Sequence, residues 1–81
     1  MAVAKVRELA DVGGRIRRIR ESRHVSQEEG ARLMGIDRSY YGSVERGLIN
    51  VSAVNLLKIA RALHCEVGSF FPPASSRRAA R

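Results

Sequence analysis

The sequence predicts an all-α fold, a compact bundle of four helices plus a short fifth. Apolar residues recur at helical spacing, as at Val12, Ile16 and Ile19. Residue types that start and end helices bracket these segments, and no stretch shows the alternation typical of a strand. The chain has 81 residues, a length that suits one small domain and excludes a two-domain enzyme.

The first helix is predicted from about Asp11 to Arg23, with its three apolar residues on one face. Residues 1–10 are predicted as an N-terminal extension, and residues 11–71 as the folded domain. Gly13 and Gly14 are each expected to weaken the helix by about 1 kcal/mol relative to alanine. We therefore expect the first turn of this helix to fray.

The next two helices carry clear start and stop signals. Ser26 is expected to cap the second helix by accepting a hydrogen bond from the amide of Glu29, whose carboxylate reaches back in return. Gly35 is expected to end this helix in the left-handed conformation. Asp37 then caps a third helix over Arg38–Arg46, which the following glycine ends in the same way.

The fourth helix is predicted to open at Ser52 and to continue through His64. Its core face is expected to comprise the residues at helical spacing, namely Ala53, Leu56, Leu57, Ala60 and Leu63. A last turn over Val67–Phe71 should stop at Pro72-Pro73, because proline cannot continue the hydrogen-bond ladder. Residues 72–81 are predicted to form a disordered basic tail, serving either as a solubilising end or for weak phosphate contact.

The charge balance indicates an anionic partner. Lysine and arginine total 15 against 8 acidic residues, which gives a net charge of +7. Lys5 and Lys58 are the two lysines, so 13 of the basic residues are arginine. The planar guanidinium suits phosphate and guanine better than an ammonium group does. Charge alone leaves nucleic acid, a membrane surface and acidic protein as open alternatives.

Several function classes lack support in the sequence. Cys65 is the single cysteine, so neither an internal disulfide nor a cysteine-based zinc site is expected. His24 and His64 are isolated, and no residues assemble into a catalytic constellation, so we predict no enzyme activity and no cofactor or metal. No secretory signal or membrane-spanning run is present, and the sequence predicts a soluble cytoplasmic protein.

The informative feature is a pair of short helices separated by Gly35-Ile36-Asp37. A short helix, a tight glycine turn and a second helix form the helix-turn-helix arrangement, in which the second helix enters the major groove of DNA. Ala31 supplies the small residue that close packing of the two helices requires. A purely structural helical hairpin would show only part of this combination, so the pattern favours DNA binding.

These residues resemble the Cro/C1-type (Xre) helix-turn-helix regulators, which have the lambda-repressor-like fold. The likeness extends over about residues 11–70, and residues 37–52 are especially similar to controller proteins of restriction–modification systems. Those proteins are small homodimers that activate or repress their own operon. The residues that carry the resemblance are Gln27-Glu28-Glu29, Ala31, Gly35-Ile36, Asp37-Arg38-Ser39-Tyr40, Glu45-Arg46-Gly47 and Asn50-Val51-Ser52.

The first turns of the third helix are expected to read DNA. Arg38 is able to bind guanine O6 and N7 through two hydrogen bonds, and Ser39 and Ser43 are short enough for close approach. A second set is expected to contact the sugar-phosphate backbone, which positions the protein without reading sequence. These residues are Gln27, Tyr40, Arg46 and Asn50.

The resemblance also implies a structural ion pair between Arg20 and Glu45, which would tie the first helix to the reading helix. A single domain of this size makes few base contacts, so we expect a homodimer on two half-sites about 34 Å apart. The dimer surface is expected on the fourth helix and the final turn. Its predicted residues are Val54, Ile59, Phe70 and Phe71.

The sequence thus predicts a sequence-specific, homodimeric transcriptional regulator that binds double-stranded DNA and no membrane. An activating regulator would also contact RNA polymerase. A phage or toxin–antitoxin repressor of the same fold is an alternative within this class. A basic module that binds acidic proteins or anionic lipid is the alternative from another class.

Overall fold

The computed structural model describes residues 2–73, with side chains described from residue 7 onward. The helices are α1 (Ala2–Ser22), α2 (Gln27–Met34), α3 (Arg38–Arg46) and α4 (Ala53–Leu63). A 3₁₀ turn at Val67–Phe70 follows α4. Residues 2–73 contain no strand, and the predicted all-α fold is confirmed. Apart from its two prolines, the predicted basic tail lies outside the described residues.

Side-chain caps define the starts of α2, α3 and α4, as the sequence predicts. In each case an oxygen accepts a hydrogen bond from the amide three residues later, which satisfies a donor at the helix end. The distances are 3.0 Å for Ser26 to Glu29, 3.1 Å for Asp37 to Tyr40 and 3.1 Å for Ser52 to Asn55. The Glu29 carboxylate binds Arg32 on the next turn of α2.

The C-terminal ends of these helices use the left-handed backbone conformation. Gly35 and Gly47 have φ angles of 70° and 73°, as predicted from their positions. His64 also adopts a left-handed φ of 57°, so α4 ends at Leu63, one residue before the predicted end. Arg23 supports this end by donating from Nε to the Leu63 carbonyl oxygen at 2.9 Å.

Helix α1 is longer than predicted, because it begins at Ala2 and not near Asp11. Its first turns contain alanine, lysine, arginine, glutamate and leucine, all residues with good helix propensity. Gly13 and Gly14 lie within the helix without interrupting it. The segment predicted as an N-terminal extension is therefore continuous with the first helix from residue 2 onward.

Two glycines allow α1 to lie directly against α3. A Cβ atom added to Gly13 would lie 2.5 Å from the Glu45 carbonyl oxygen and would also overlap the Val44 carbonyl oxygen. A Cβ atom added to Gly47 would lie 2.5 Å from the backbone nitrogen of Ala10. The backbones of the two helices thus approach to a distance that only glycine permits.

The core lies between α1 and the α2–α4 layer. Its largest fully buried side chains are Ile16, Tyr41, Ile59, Leu63 and Phe70. Burying apolar side chains of this kind is worth about 1.5–3 kcal/mol each, and it is the main favourable contribution to folding here.

The core face of α4 differs from the predicted one. Ile59 is fully buried, whereas Leu57 is 50% exposed and Ala53 is exposed. The inward residues Leu56, Ile59, Ala60 and Leu63 still follow helical spacing, but the face is rotated relative to the prediction. Phe70 is also fully buried. The assignment of Ile59 and Phe70 to a dimer surface is therefore wrong, because neither presents any surface to a partner.

Candidate nucleic-acid interface

Helices α2 and α3 meet at the tight turn that the sequence indicates. The amide of Ile36 donates to the Ala31 carbonyl oxygen at 3.0 Å, which holds the chain as it leaves α2. Ala31 and Met34 are buried on one side of the turn, and Tyr41 and Val44 are buried on the other. The two helices therefore pack as a unit, with the remaining face of α3 directed outward.

The outward face of α3 is polar and narrow. Ser39, Gly42, Ser43 and Arg46 recur at the spacing of one helical face, opposite the buried Tyr41 and Val44. Arg38 stands exposed at the first position of the helix. The structure thus brings the three predicted base-reading residues to one accessible surface, and it adds Arg46 to the same face.

Gly42 makes room for two side chains on this surface. A Cβ atom at Gly42 would lie 3.3 Å from Arg46 Nη1 and 3.5 Å from Gln27 Oε1. The Arg46 guanidinium therefore folds back along α3 toward the first residue of α2. A cation and an amide are placed together beside a helix N-terminus, where the free amides and the helix dipole favour an anion.

A buried ion pair joins α1 to the reading helix. Arg20 Nε donates to Glu45 Oε2 at 2.6 Å and Arg20 Nη2 donates to Glu45 Oε1 at 3.1 Å, a bidentate arrangement. Each residue is only 7% exposed. A further Arg20 nitrogen donates to the Val25 carbonyl oxygen at 2.6 Å. The α1 helix, the α1–α2 turn and α3 are thereby held together.

Two more residues bind the same carboxylate. Gln27 Nε2 donates to Glu45 Oε1 at 2.9 Å, and the Tyr41 hydroxyl donates to Glu45 Oε2. Sequence reasoning missed both contacts, because it assigned Gln27 to the DNA backbone and gave Tyr41 no polar partner. The spacing of Tyr41 and Glu45, four residues apart on one helix, is the signal that could have indicated their bond.

This hydrogen-bond network shifts the pKa values of its members. Burial alone would raise the pKa of Glu45, but the hydrogen bonds from Arg20, Tyr41 and Gln27 outweigh it and hold the pKa below its usual value. Burial and the bond to Glu45 raise the pKa of the Tyr41 phenol well above its ordinary range. The bond to Glu45 likewise raises the pKa of Arg20. The pair is therefore ionised at neutral pH.

Tyr40 lies in the first turn of α3, and Asn50 lies in the segment after its last turn. Asn55 Nδ2 donates to the Tyr40 hydroxyl oxygen at 3.0 Å, which links α3 to α4. The Tyr40 hydroxyl proton is still available to a further acceptor. Asn50 is exposed in the segment between α3 and α4. Asn50 is thus accessible, whereas Tyr40 is half-buried with its hydroxyl group bound to α4.

The described residues contain neither a candidate metal-binding cluster nor a candidate membrane-spanning helix. Within residues 7–73, the histidine, cysteine and acidic side chains form no group of three or more that could hold a metal ion. No helix of residues 2–73 combines the length and apolar character needed to cross a membrane.

Comparison with known proteins identifies similar sequences and structures. Residues 16–70 match the helix-turn-helix family. The control protein C.MunI from Mycoplasma sp is 40% identical over 60 residues, which are 73% of this chain and 81% of that protein.

Two solved structures have similar folds. The restriction-modification controller protein C.AhdI from Aeromonas hydrophila has 51% identity and a TM-score of 0.76, over 78% of this chain and 96% of that chain. The hypothetical transcription factor NHTF from Neisseria has 32% identity and a TM-score of 0.77, over 91% of this chain and 85% of that chain. Both similarities extend over most of each molecule.

Proposed function

We propose that this chain, which belongs to the Cro/C1-type helix-turn-helix family and is a DNA-binding transcriptional regulator, acts as a homodimer. Its binding site would be an operator with two half-sites. The operator would belong to a restriction–modification operon, as the similarity to control and controller proteins suggests. The observation that carries this proposal is the outward polar face of α3, braced from behind by the buried Arg20–Glu45 pair.

In this proposal Arg38, Ser39 and Ser43 read base edges. Arg38 lies at the start of α3, where helix-turn-helix proteins contact bases, and its guanidinium matches the two acceptors of guanine. The two serine hydroxyls project from successive turns of the same face. Short side chains there let the helix backbone lie deep in the major groove.

A second set of residues would hold the phosphate backbone. Gln27 and Arg46 approach each other above Gly42, and we propose that they bind one phosphate together with the amides at the start of α2. The bond from Gln27 to Glu45 would orient the amide for this contact. Tyr40 and Asn50 would bind neighbouring phosphates. Such contacts fix the register of α3 without reading sequence.

The dimer surface is proposed on the exposed face of α4. Val54 is 63% exposed and Leu57 is 50% exposed, and they lie three residues apart on one side of the helix. Lys58 and Arg61 flank them at helical spacing and are also exposed. A symmetric dimer uses the same patch on both copies, so these apolar residues would pack against their equivalents. A dimer that activates transcription would in addition contact RNA polymerase.

Replacing Arg38 with alanine is expected to relax discrimination at one base position of each half-site by about 1–3 kcal/mol. The measurement is selection of bound sequences from random DNA, followed by binding assays at two salt concentrations. Arg18→Ala is the control, because it removes the same charge from an exposed position on α1. It should weaken binding to all DNA sequences by the same factor. Unchanged base preference in the Arg38 variant would contradict the proposed reading surface.

Replacing Leu57 with glutamate is expected to convert the dimer to a monomer, because it places like charges against each other in an apolar contact. Sedimentation measures this change, and the affinity for a two-half-site operator should fall about 100-fold or more. Leu33 is 52% exposed on α2, so Leu33→Glu is a control of matched exposure and should leave the dimer intact. Dissociation in both variants or in neither would argue against the α4 interface.

A further inference from the structure

A groove separate from the reading surface runs between α1 and the chain segment after α4. It has a volume of about 1310 Å³ and is bounded on one side by Leu9 and Val12 and on the other by Phe71 and Pro73. Phe71 is 39% exposed there. The volume exceeds the range of about 300–1,000 Å³ for small-molecule sites. Its size and apolar walls suit a segment of polypeptide, as in helix-in-groove recognition.

The rim of this groove is acidic although the chain is basic. Among the described residues that line it, Glu8, Asp11 and Glu66 are acidic and Arg15 is basic. Arg15 lies 3.4 Å from Asp11, so its charge is directed at a neighbouring rim carboxylate. On a chain of net charge +7, this surface would repel the phosphates that the rest of the molecule attracts.

No residue of the reading helix α3 is among the described residues that line the groove. Gly13 of α1 lies against the backbone of α3 and Ala10 lies against Gly47 at the end of α3, whereas Glu8, Asp11 and Arg15 line the groove. Asp11 and Gly13 are about 160° apart around an α-helix. An occupant of the groove would therefore contact α1 and the segment after α4 and would leave α3 free for DNA.

We propose that this groove binds an amphipathic segment of a partner protein whose apolar face is flanked by arginine or lysine. The apolar walls would supply affinity by burying that face, and the acidic rim would select basic flanks over acidic ones. This binding activity goes beyond DNA recognition and does not depend on it. The site includes Phe71, which the sequence placed in a dimer surface.

The test uses a fluorescein-labelled peptide with leucines at helical spacing and arginines beside them, measured by fluorescence anisotropy with the full-length protein. The arginine peptide should bind, and the same peptide with glutamate in place of arginine should not. Glu66→Lys should weaken binding about fivefold or more. Glu28→Lys, at an exposed position on α2, changes the net charge equally and should have no effect.

A second variant tests the apolar wall. Phe71→Ser should weaken peptide binding about tenfold or more, while circular dichroism and thermal melting report whether the fold is intact. Equal binding of the two peptides, equal effects of the two lysine variants, or dissociation of a protein dimer by Glu66→Lys would each overturn the proposal. The last result would instead assign the groove to a second copy of the chain.

Discussion

Replacing Gly13 with alanine is expected to destabilise the protein by about 3 kcal/mol or more, even though alanine is the better helix former. The added Cβ atom would lie 2.5 Å from the carbonyl oxygen of Glu45 and would overlap that of Val44. Both are backbone atoms of α3, so no side-chain rotation relieves the overlap. Either α1 or α3 must move, and the buried side chains between them lose contact.

Gly14 provides the matched control for this prediction. A Cβ atom at Gly14 meets no atom within 4 Å, so alanine there should stabilise the protein by about 1 kcal/mol through helix propensity alone. Urea and thermal denaturation of the two variants should therefore show shifts of opposite sign. A Gly13 variant as stable as the Gly14 variant would show that α1 does not press against α3 in solution.

The same contact explains where sequence reasoning failed for α1. Local propensity treats Gly13 and Gly14 as equivalent weak points near a helix start, and from this we expected fraying. The structure separates them, because one glycine faces α3 and the other faces outward. Which glycine lies against another backbone depends on packing between segments about 30 residues apart, and local patterns do not contain that information.

The helix caps were predictable from the sequence because they depend only on residues close together in the chain. Each capping oxygen and its amide lie three residues apart, so the geometry is set within a single turn of chain. The two glycines in left-handed conformation are equally local. These short-range signals locate α2 and α3, and thereby the outward face that carries Arg38, Ser39 and Ser43.

The core face of α4 was predictable only in part. Two apolar sets in its sequence both follow helical spacing, one with Leu57 and one with Ile59. Helical spacing cannot choose between them, because they differ by a rotation of the same helix. Packing against α2 and the 3₁₀ turn buries Ile59 and leaves Leu57 outside, next to Val54. This rotation keeps Val54 in the proposed dimer surface and puts Leu57 in the place of Ile59.

Replacing Glu45 with glutamine is expected to destabilise the protein by about 3–5 kcal/mol at neutral pH. The Glu45 side chain is 2% exposed, and its carboxylate accepts hydrogen bonds from Arg20, Gln27 and Tyr41. A glutamine side chain has similar size, but its NH₂ group would face donors. The Arg20 charge would lose its buried counter-ion and keep only the exposed Glu21 carboxylate, 4.0 Å away. An uncompensated buried charge accounts for most of the expected loss.

The pH dependence gives a second measurement of the same interaction. Since the folded-state pKa of Glu45 is lowered from its usual value of 4.5, its contribution to stability is fully present above about that pH. It is lost as the pH falls through the lower folded-state pKa. The difference in the free energy of unfolding between wild type and Glu45→Gln should therefore shrink in acid. Glu28→Gln, on an exposed carboxylate, should show neither the loss at neutral pH nor this convergence.

A double variant distinguishes loss of the pair from loss of packing. Arg20→Met removes the charge that Glu45→Gln leaves without a partner, so the combined variant should lose less stability than the two single losses added together. If the losses are instead additive, the two side chains act independently and the ion pair does not brace α3. If the double variant recovers stability but binds operator DNA weakly, the pair contributes chiefly by orienting Gln27 and the reading helix. Because Gln27 donates to the same carboxylate, we expect that second result.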